Sequence, residues 1–384
     1  MHEVYFDNSA TTQVDPEVFE EMKKYLTVAF GNPSSIHTFG RGIRTDVEQA
    51  RRKVAKAIGA DYREVYFTSG GTEADNLAVK GAAYAGKDRG NHIITSAIEH
   101  HAVIDACRQL EAEGFQLTVL PVDSSGMVAL EDVRSVITDQ TILISIMHAN
   151  NEVGTVQPLE EIGKLAREKG IILHTDAVQS VGKIEVNVKS LNVDLLSLSA
   201  HKIYGPKGVG ALYVREGVKL YPLVNGGRQE RGLRPGTENV AGIVALGKAM
   251  ELAAEGLTGE MMRIDSLRKK LMTGIENNIP HAVFNGHPVK RVPNILNYSF
   301  KYIEGEALLL GLDLRKIAVS SGSACSSGSM EPSPVLVAMG VPFEVARSSL
   351  RISLGKYNTQ KDVDYFLASL KEVVERLREM SPLL

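Results

Sequence analysis

Lys202 stands in Ser199-Ala200-His201-Lys202, directly after the apolar run Val193-Asp194-Leu195-Leu196-Ser197-Leu198. Such a run reads as a buried strand, and an amine at its exit is costly to desolvate unless chemistry uses it. One strand upstream, Gly170-Ile171-Ile172-Leu173-His174 opens into Thr175-Asp176-Ala177-Val178-Gln179, which puts a carboxylate and an amide at the next strand end. An amine able to condense with an aldehyde, an acid able to keep a ring nitrogen protonated and an amide for a phenolic oxygen are the parts of a pyridoxal phosphate (PLP) site. Taken singly, the lysine reads as a solvated strand end and the aspartate as a turn or cap. Their place at successive strand ends carries the argument, because open parallel sheets bind ligands outside the carboxyl ends of their strands.

Other groups fall at similar exits. Ser69-Gly70-Gly71-Thr72-Glu73 follows a strand and opens a helix, so its exposed amides, with Ser199 and His201 as further donors, form a cradle for a phosphate. As plain structure it is a capped helix start. In Ile98-Glu99-His100-His101, His100 is assigned to stack on the ring and shuttle protons, and His101 to a helix cap or the surface. Asn151, in His148-Ala149-Asn150-Asn151-Glu152, can donate to the ring oxygen or to a substrate carboxylate. Arg351, in Leu350-Arg351-Ile352-Ser353, can hold a carboxylate through two parallel hydrogen bonds. Cys325 lies in Ser320-Ser321-Gly322-Ser323-Ala324-Cys325-Ser326-Ser327-Gly328-Ser329, whose composition predicts a mobile loop; an exposed thiol there suggests a sulfur that is used. Cys107, inside an apolar helical pattern, reads as inert.

Between Glu64 and Val214, seven short β-branched runs alternate with helical patterns such as Ala74 to Ala85, His101 to Glu113 and Leu159 to Lys169. That alternation predicts an α/β fold with a seven-stranded, mostly parallel sheet. A long helical pattern from Val240 to Ile279 leads into a smaller α+β region, with strands at Ile295–Phe300 and Leu350–Leu354 and a closing helix from Thr359 to Glu379. The expected division is an arm over residues 1–20, a large domain over 21–255 and a small C-terminal domain over 256–384. Charged residues around Arg44-Thr45-Asp46-Val47-Glu48 and Arg51-Arg52-Lys53 read as a solvated helix face.

Composition removes several classes. The 384 residues carry a net charge of -3 with no basic footprint, so nucleic acid is not expected as a direct partner. No run of about 18 apolar residues spans a bilayer and the first residues show no export or organelle signal, which predicts a cytoplasmic protein without membrane contact. Two cysteines exclude a disulfide framework. Gly81-Ala82-Ala83-Tyr84-Ala85-Gly86-Lys87-Asp88 misses a P-loop by its Asp88 and closes a helix, no G-x-G-x-x-G follows a strand, and no H-E-x-x-H occurs. ATP, NAD and a resident metal are therefore not expected.

Several words in order resemble the cysteine desulfurases of the NifS/IscS class, within the fold-type I PLP enzymes and the class V aminotransferase family. They include Tyr5-Phe6-Asp7-Asn8-Ser9-Ala10-Thr11-Thr12, Phe30-Gly31-Asn32-Pro33-Ser34-Ser35-Ile36-His37, Ser69-Gly70-Gly71-Thr72-Glu73, Asp176-Ala177-Val178-Gln179, Ser199-Ala200-His201-Lys202, Gly236-Thr237-Glu238-Asn239 and Ser321-Gly322-Ser323-Ala324-Cys325. The resemblance implies that Lys202 bonds the cofactor, Asp176 meets its ring nitrogen, Gln179 and Asn151 its substituents, and His100 its face. Gly71, Thr72, Ser199 and His201 would hold the phosphate, with Thr237 crossing from a partner in a homodimer. It implies L-cysteine as substrate, its carboxylate on Arg351, and Cys325 as the thiol that takes sulfur as a persulfide, leaving L-alanine. Lys202 or His100 would move the α-proton. The sulfur would go to an iron–sulfur scaffold or another acceptor, with room for transient iron or cluster contact at Cys325. A selenocysteine lyase or another aminotransferase-like enzyme on the same fold is the alternative.

Overall fold

A computed structural model describes residues 2–321 and 331–381. The chain opens with β1 (Val4–Tyr5), α1 (Pro16–Thr27) and α2 (Thr38–Ala57). Seven strands follow: β2 (Val65–Thr68), β3 (His92–Ser96), β4 (Gln116–Leu120), β5 (Thr141–Ser145), β6 (Ile172–Asp176), β7 (Leu195–Ser199) and β8 (Gly210–Val214). Helices α3 (Gly71–Gly86), α4 (His101–Ala112), α5 (Leu130–Val136) and α6 (Leu159–Lys169) connect the strands up to β6. After α7 (Val240–Asn278) come β9 (Ala282–Asn285), β10 (Ile295–Phe300), α8 (Gly305–Asp313) and β11 (Ile317–Ala318). The short α9 (Pro334–Ala338) and α10 (Phe343–Ala346), β12 (Ser349–Ser353) and α11 (Gln360–Glu379) complete the chain.

The large sheet has the order β2-β8-β7-β6-β5-β3-β4, and only β8 runs antiparallel to its neighbours. This is the expected mostly parallel α/β sheet. Strands β3, β5, β7 and β8 are buried along their whole length, as continuous apolar runs covered by helices on both faces should be. Strand β7 starts two residues later than the apolar run suggests. Asp194 stands outside it and uses its carboxylate to accept the Leu173 N–H at 2.9 Å.

A second sheet, β12-β10-β9, is antiparallel, and β1 pairs in parallel with β11. Helix α7 belongs to two cores. Ile243, Leu246 and Met250 pack with Ile94, Leu173 and Leu198 of the large sheet, whereas Ile264, Leu271 and Ile275 pack with Phe6, Tyr298 and Phe366. The N-terminal residues divide likewise, Phe6 joining the second core and Val18 the first.

Helix α2 departs from the expected solvated face at Arg51. Its side chain is 4% exposed and grips Glu230 through two parallel hydrogen bonds, of 2.7 and 2.8 Å. Glu230 also accepts the Phe67 N–H at 2.9 Å, so the pair ties α2, β2 and the segment before α7 together. Glu230 and Arg231 hold left-handed backbone, with φ of 46° and 57°, which non-glycine residues adopt only when their surroundings insist. Glu230→Gln would replace the buried carboxylate on Arg51 by a neutral amide and leave the buried charge with only the part-exposed Glu48, at 3.1 Å, as an ionic partner. The expected cost is about 3 kcal/mol, measured as a lower denaturant midpoint at unchanged m-value; a parental midpoint would contradict it. Among the described residues, no helix is long and apolar enough to cross a membrane.

Candidate active site

The carboxyl ends of β2, β3, β5, β6 and β7 each deliver one part. Helix α3 begins at Gly71 without a side-chain cap, so its first N–H groups are left for an anion. A Cβ on Gly71 would stand 2.8 Å from Val178 Cγ2, which is why glycine is needed where the helix start meets the turn after Asp176. Thr72 follows in the first turn. Buried Ser199 ends β7, and His201 and Lys202 occupy the single 3₁₀ turn Ala200–Lys202. The His201 Nδ1 lies 3.1 Å from Thr11 Oγ1, and burial, then the charge of Lys202, holds its pKa down to about 4. It is thus a neutral ring at working pH, one nitrogen a donor and the other an acceptor.

Lys202 is half-buried, and its Nζ donates to the carbonyls of Ser9 at 2.5 Å and Ala10 at 2.7 Å. Gln179 Nε2 donates to the same Ser9 carbonyl at 2.9 Å. The N-terminal segment therefore closes one side of the lysine's cleft. Asp176 is 7% exposed, with Oδ1 accepting the Val178 N–H at 2.9 Å. Burial raises its pKa, opposed by His100, by that N–H and by Lys202. Behind it lie two more buried acids, Glu99, pushed up to about 8 chiefly by burial, and Asp75, raised well above the carboxylate range. A buried acidic group of this kind is stabilised by a cation laid against Asp176, which a protonated ring nitrogen would supply. Amine, acid, amide and uncapped helix start thus suit PLP in chemistry as well as in number.

Of the two roles expected of His101, helix cap or surface, the structure shows the surface one, and the cap falls to His100. The helix cap is His100, whose Nδ1 accepts the Ala102 N–H at 3.1 Å, while His101 is exposed beside Asp105 at 3.2 Å. Capping places the proton of a neutral His100 ring on Nε2. The helix simply starts one residue earlier than a His101 cap would require.

Arg351 is 3% exposed in β12. One terminal nitrogen donates to Asp7 Oδ1 at 2.9 Å and the other to the main-chain oxygen of Asn151 at 3.1 Å, while its Nε has no partner among the described residues. A buried guanidinium with an unpaired donor is suited to a carboxylate ligand. Thr237 is exposed in the segment before α7, where neighbouring Arg234 holds Glu73 of α3 at 2.7 Å. Cys325 lies outside the described residues. The chain on either side is anchored at the cleft: Ser320 pairs through its main chain with Arg351, and Ser333 Oγ donates to buried Glu152, next to Asn151. Cys107 is buried, its thiol pushed up to about 12 by desolvation. Among the described residues, no group of three or more His, Cys, Asp and Glu side chains is arranged to hold a metal ion.

Sequence reasoning assigned no role to Asp7, Ser9, Glu99, Asp75 or Lys183. Asp7 is 344 positions from Arg351, so no local pattern reveals their pairing. Lys183 does leave a trace, an amine four residues after Gln179.

The fold and these strand-end residues define a fold-type I PLP-enzyme architecture. The description "Aminotransferase class-V" matches residues 4–366, and the chain belongs to that family. A relative from Clostridium botulinum, strain Hall, named cysteine desulfurase IscS, is 54% identical over 383 residues, 99% of this chain and 96% of its own. A solved NifS-like protein superposes with a TM-score of 0.92 at 43% identity, covering 98% of this chain and all of its own. A solved SspA in complex with cysteine gives 0.83 at 39% identity, over 93% of this chain and all of that one.

Proposed function

We propose that this protein is a PLP-dependent cysteine desulfurase that converts L-cysteine to L-alanine and keeps the sulfur as a persulfide on Cys325. The observation that carries the reading is the meeting of Lys202, Asp176, Gln179 and the uncapped start of α3 at one sheet edge, with Arg351 facing it from the second sheet. When bound, PLP supplies an electron sink for the substrate's α-carbon. Lys202 attaches it, and Asp176 holds a proton on the ring nitrogen. Gln179 and Asn151 bond ring substituents, His100 covers the ring, and Gly71, Thr72, Ser199 and His201 hold the phosphate. Arg351 orients the substrate by its carboxylate. Of the two candidate bases, Lys202 takes the α-proton, because the one lone pair of a neutral His100 ring is committed to the Ala102 N–H. The Cys325 thiolate takes the substrate sulfur: one carbon–sulfur bond breaks, one sulfur–sulfur bond forms, and a proton returns to carbon as alanine leaves.

Thr237, exposed on each protomer, completes the phosphate site of the other in a homodimer. The sulfur passes to an iron–sulfur scaffold or a comparable acceptor in the cytoplasm. Incubating holoenzyme with L-cysteine and a thiol reductant tests the reaction. Alanine and sulfide should appear one for one; a keto acid product would instead mark a transaminase, and activity confined to L-selenocysteine a selenocysteine lyase.

A further inference from the structure

Lys183 belongs to none of the roles above, yet it faces the same cleft as Asn8, Lys202, Tyr204, Glu260 and Asn294. Its Nζ donates to Gln179 Oε1 at 2.7 Å. The turn that allows this depends on Gly182, which takes a left-handed φ of 73° and passes so close to Ile203 that a Cβ would stand 2.8 Å from its Cγ2. The contacts form a continuous chain. Lys183 donates to the amide oxygen of Gln179, the amide nitrogen donates to Ser9, and Ser9 accepts from Lys202 as well.

A side-chain amide can turn over, and only its NH₂ end can donate to a phenolic oxygen. We propose that Lys183 is a positioning residue that occupies the carbonyl end of Gln179 and so keeps the NH₂ end toward the cofactor's phenolic oxygen. The inference rests on the proposed cofactor site. Burial, then the charges of Lys202 and Arg351, lowers the Lys183 pKa to about 7. Both the ammonium and the neutral amine carry N–H, so the grip on Gln179 survives its titration.

A donor to the phenolic oxygen favours the form in which that oxygen bears the full negative charge. It thereby lowers the pH at which the visible cofactor band titrates. Holoenzyme would be titrated spectroscopically from about pH 6 to about pH 10, the range that brackets such groups. Lys183→Met should raise the midpoint by about 0.5 to 1 unit, the size of one lost hydrogen bond. Lys183→Arg and Lys183→Gln, which keep a donor, should stay within about 0.2 unit of the parent. Gln179→Ala should raise the midpoint, and adding Lys183→Met to it should do nothing more. An unmoved midpoint in Lys183→Met, or the same shift in the Gln179→Ala background, would overturn the proposal, the latter showing that charge alone acts. So would a Lys183→Gln midpoint raised by about 0.5 to 1 unit, which serves if the methionine variant does not fold. A parent enzyme without a visible band would fail at the earlier step, overturning the cofactor site together with this inference.

Discussion

Cys325→Ala enzyme is expected to lose at least about a thousandfold in sulfide release from L-cysteine, the scale on which a covalent nucleophile is missed, while keeping its cofactor and its yellow colour. The residue is not among those proposed to bind the ring, so the groups proposed for the cofactor are all retained in the variant. What it removes is the proposed sulfur acceptor. Arg351, paired with Asp7 and lying beside Ser320, can still seat the substrate carboxylate. The variant should therefore bind L-cysteine, seen as a change in the visible spectrum, and stop there. Cys107 cannot substitute, since it is fully buried in α4 and its thiol is held neutral. Cys107→Ala accordingly leaves turnover near the parental value. Parental turnover in Cys325→Ala would remove the proposed sulfur carrier.

Much of this site is visible in the chain because its parts are local words at strand ends. The runs that become β2 to β8 are short, apolar and bounded by turn residues, and a parallel sheet buries such runs on both faces. Lys202 and Asp176 stand out since ionisable groups seldom follow such runs. Contacts made across the chain left no such trace. Arg51 looks like the other cations of α2, and its partner is 179 residues away, so its burial could be seen only once the second partner was placed. The same holds for Asp7 with Arg351. Strands β1 and β11 are two residues each and are defined by pairing with one another, not by any period of their own. His100 and His101 differ only in which side of a helix boundary they occupy, and that boundary is a one-residue question.

Lys202→Ala is expected to have the largest effect, a loss of at least about 10⁴-fold, since it deletes the group proposed to bond the cofactor. The loss is chemical more than structural. Of the two carbonyls that Lys202 leaves, that of Ser9 still accepts from Gln179 Nε2, and that of Ala10 gives up a donor. The fold should therefore weaken by no more than about 1 kcal/mol. Lys202→Arg would keep the charge and fail equally, because a guanidinium remains protonated and cannot act as the amine.

The most direct measurement is borohydride reduction of the holoenzyme followed by mass analysis of its peptides. A pyridoxyl group fixed on Lys202, and on no other lysine, is the predicted result. Fixation on Lys183 in its place, or no fixation at position 202, would contradict the account.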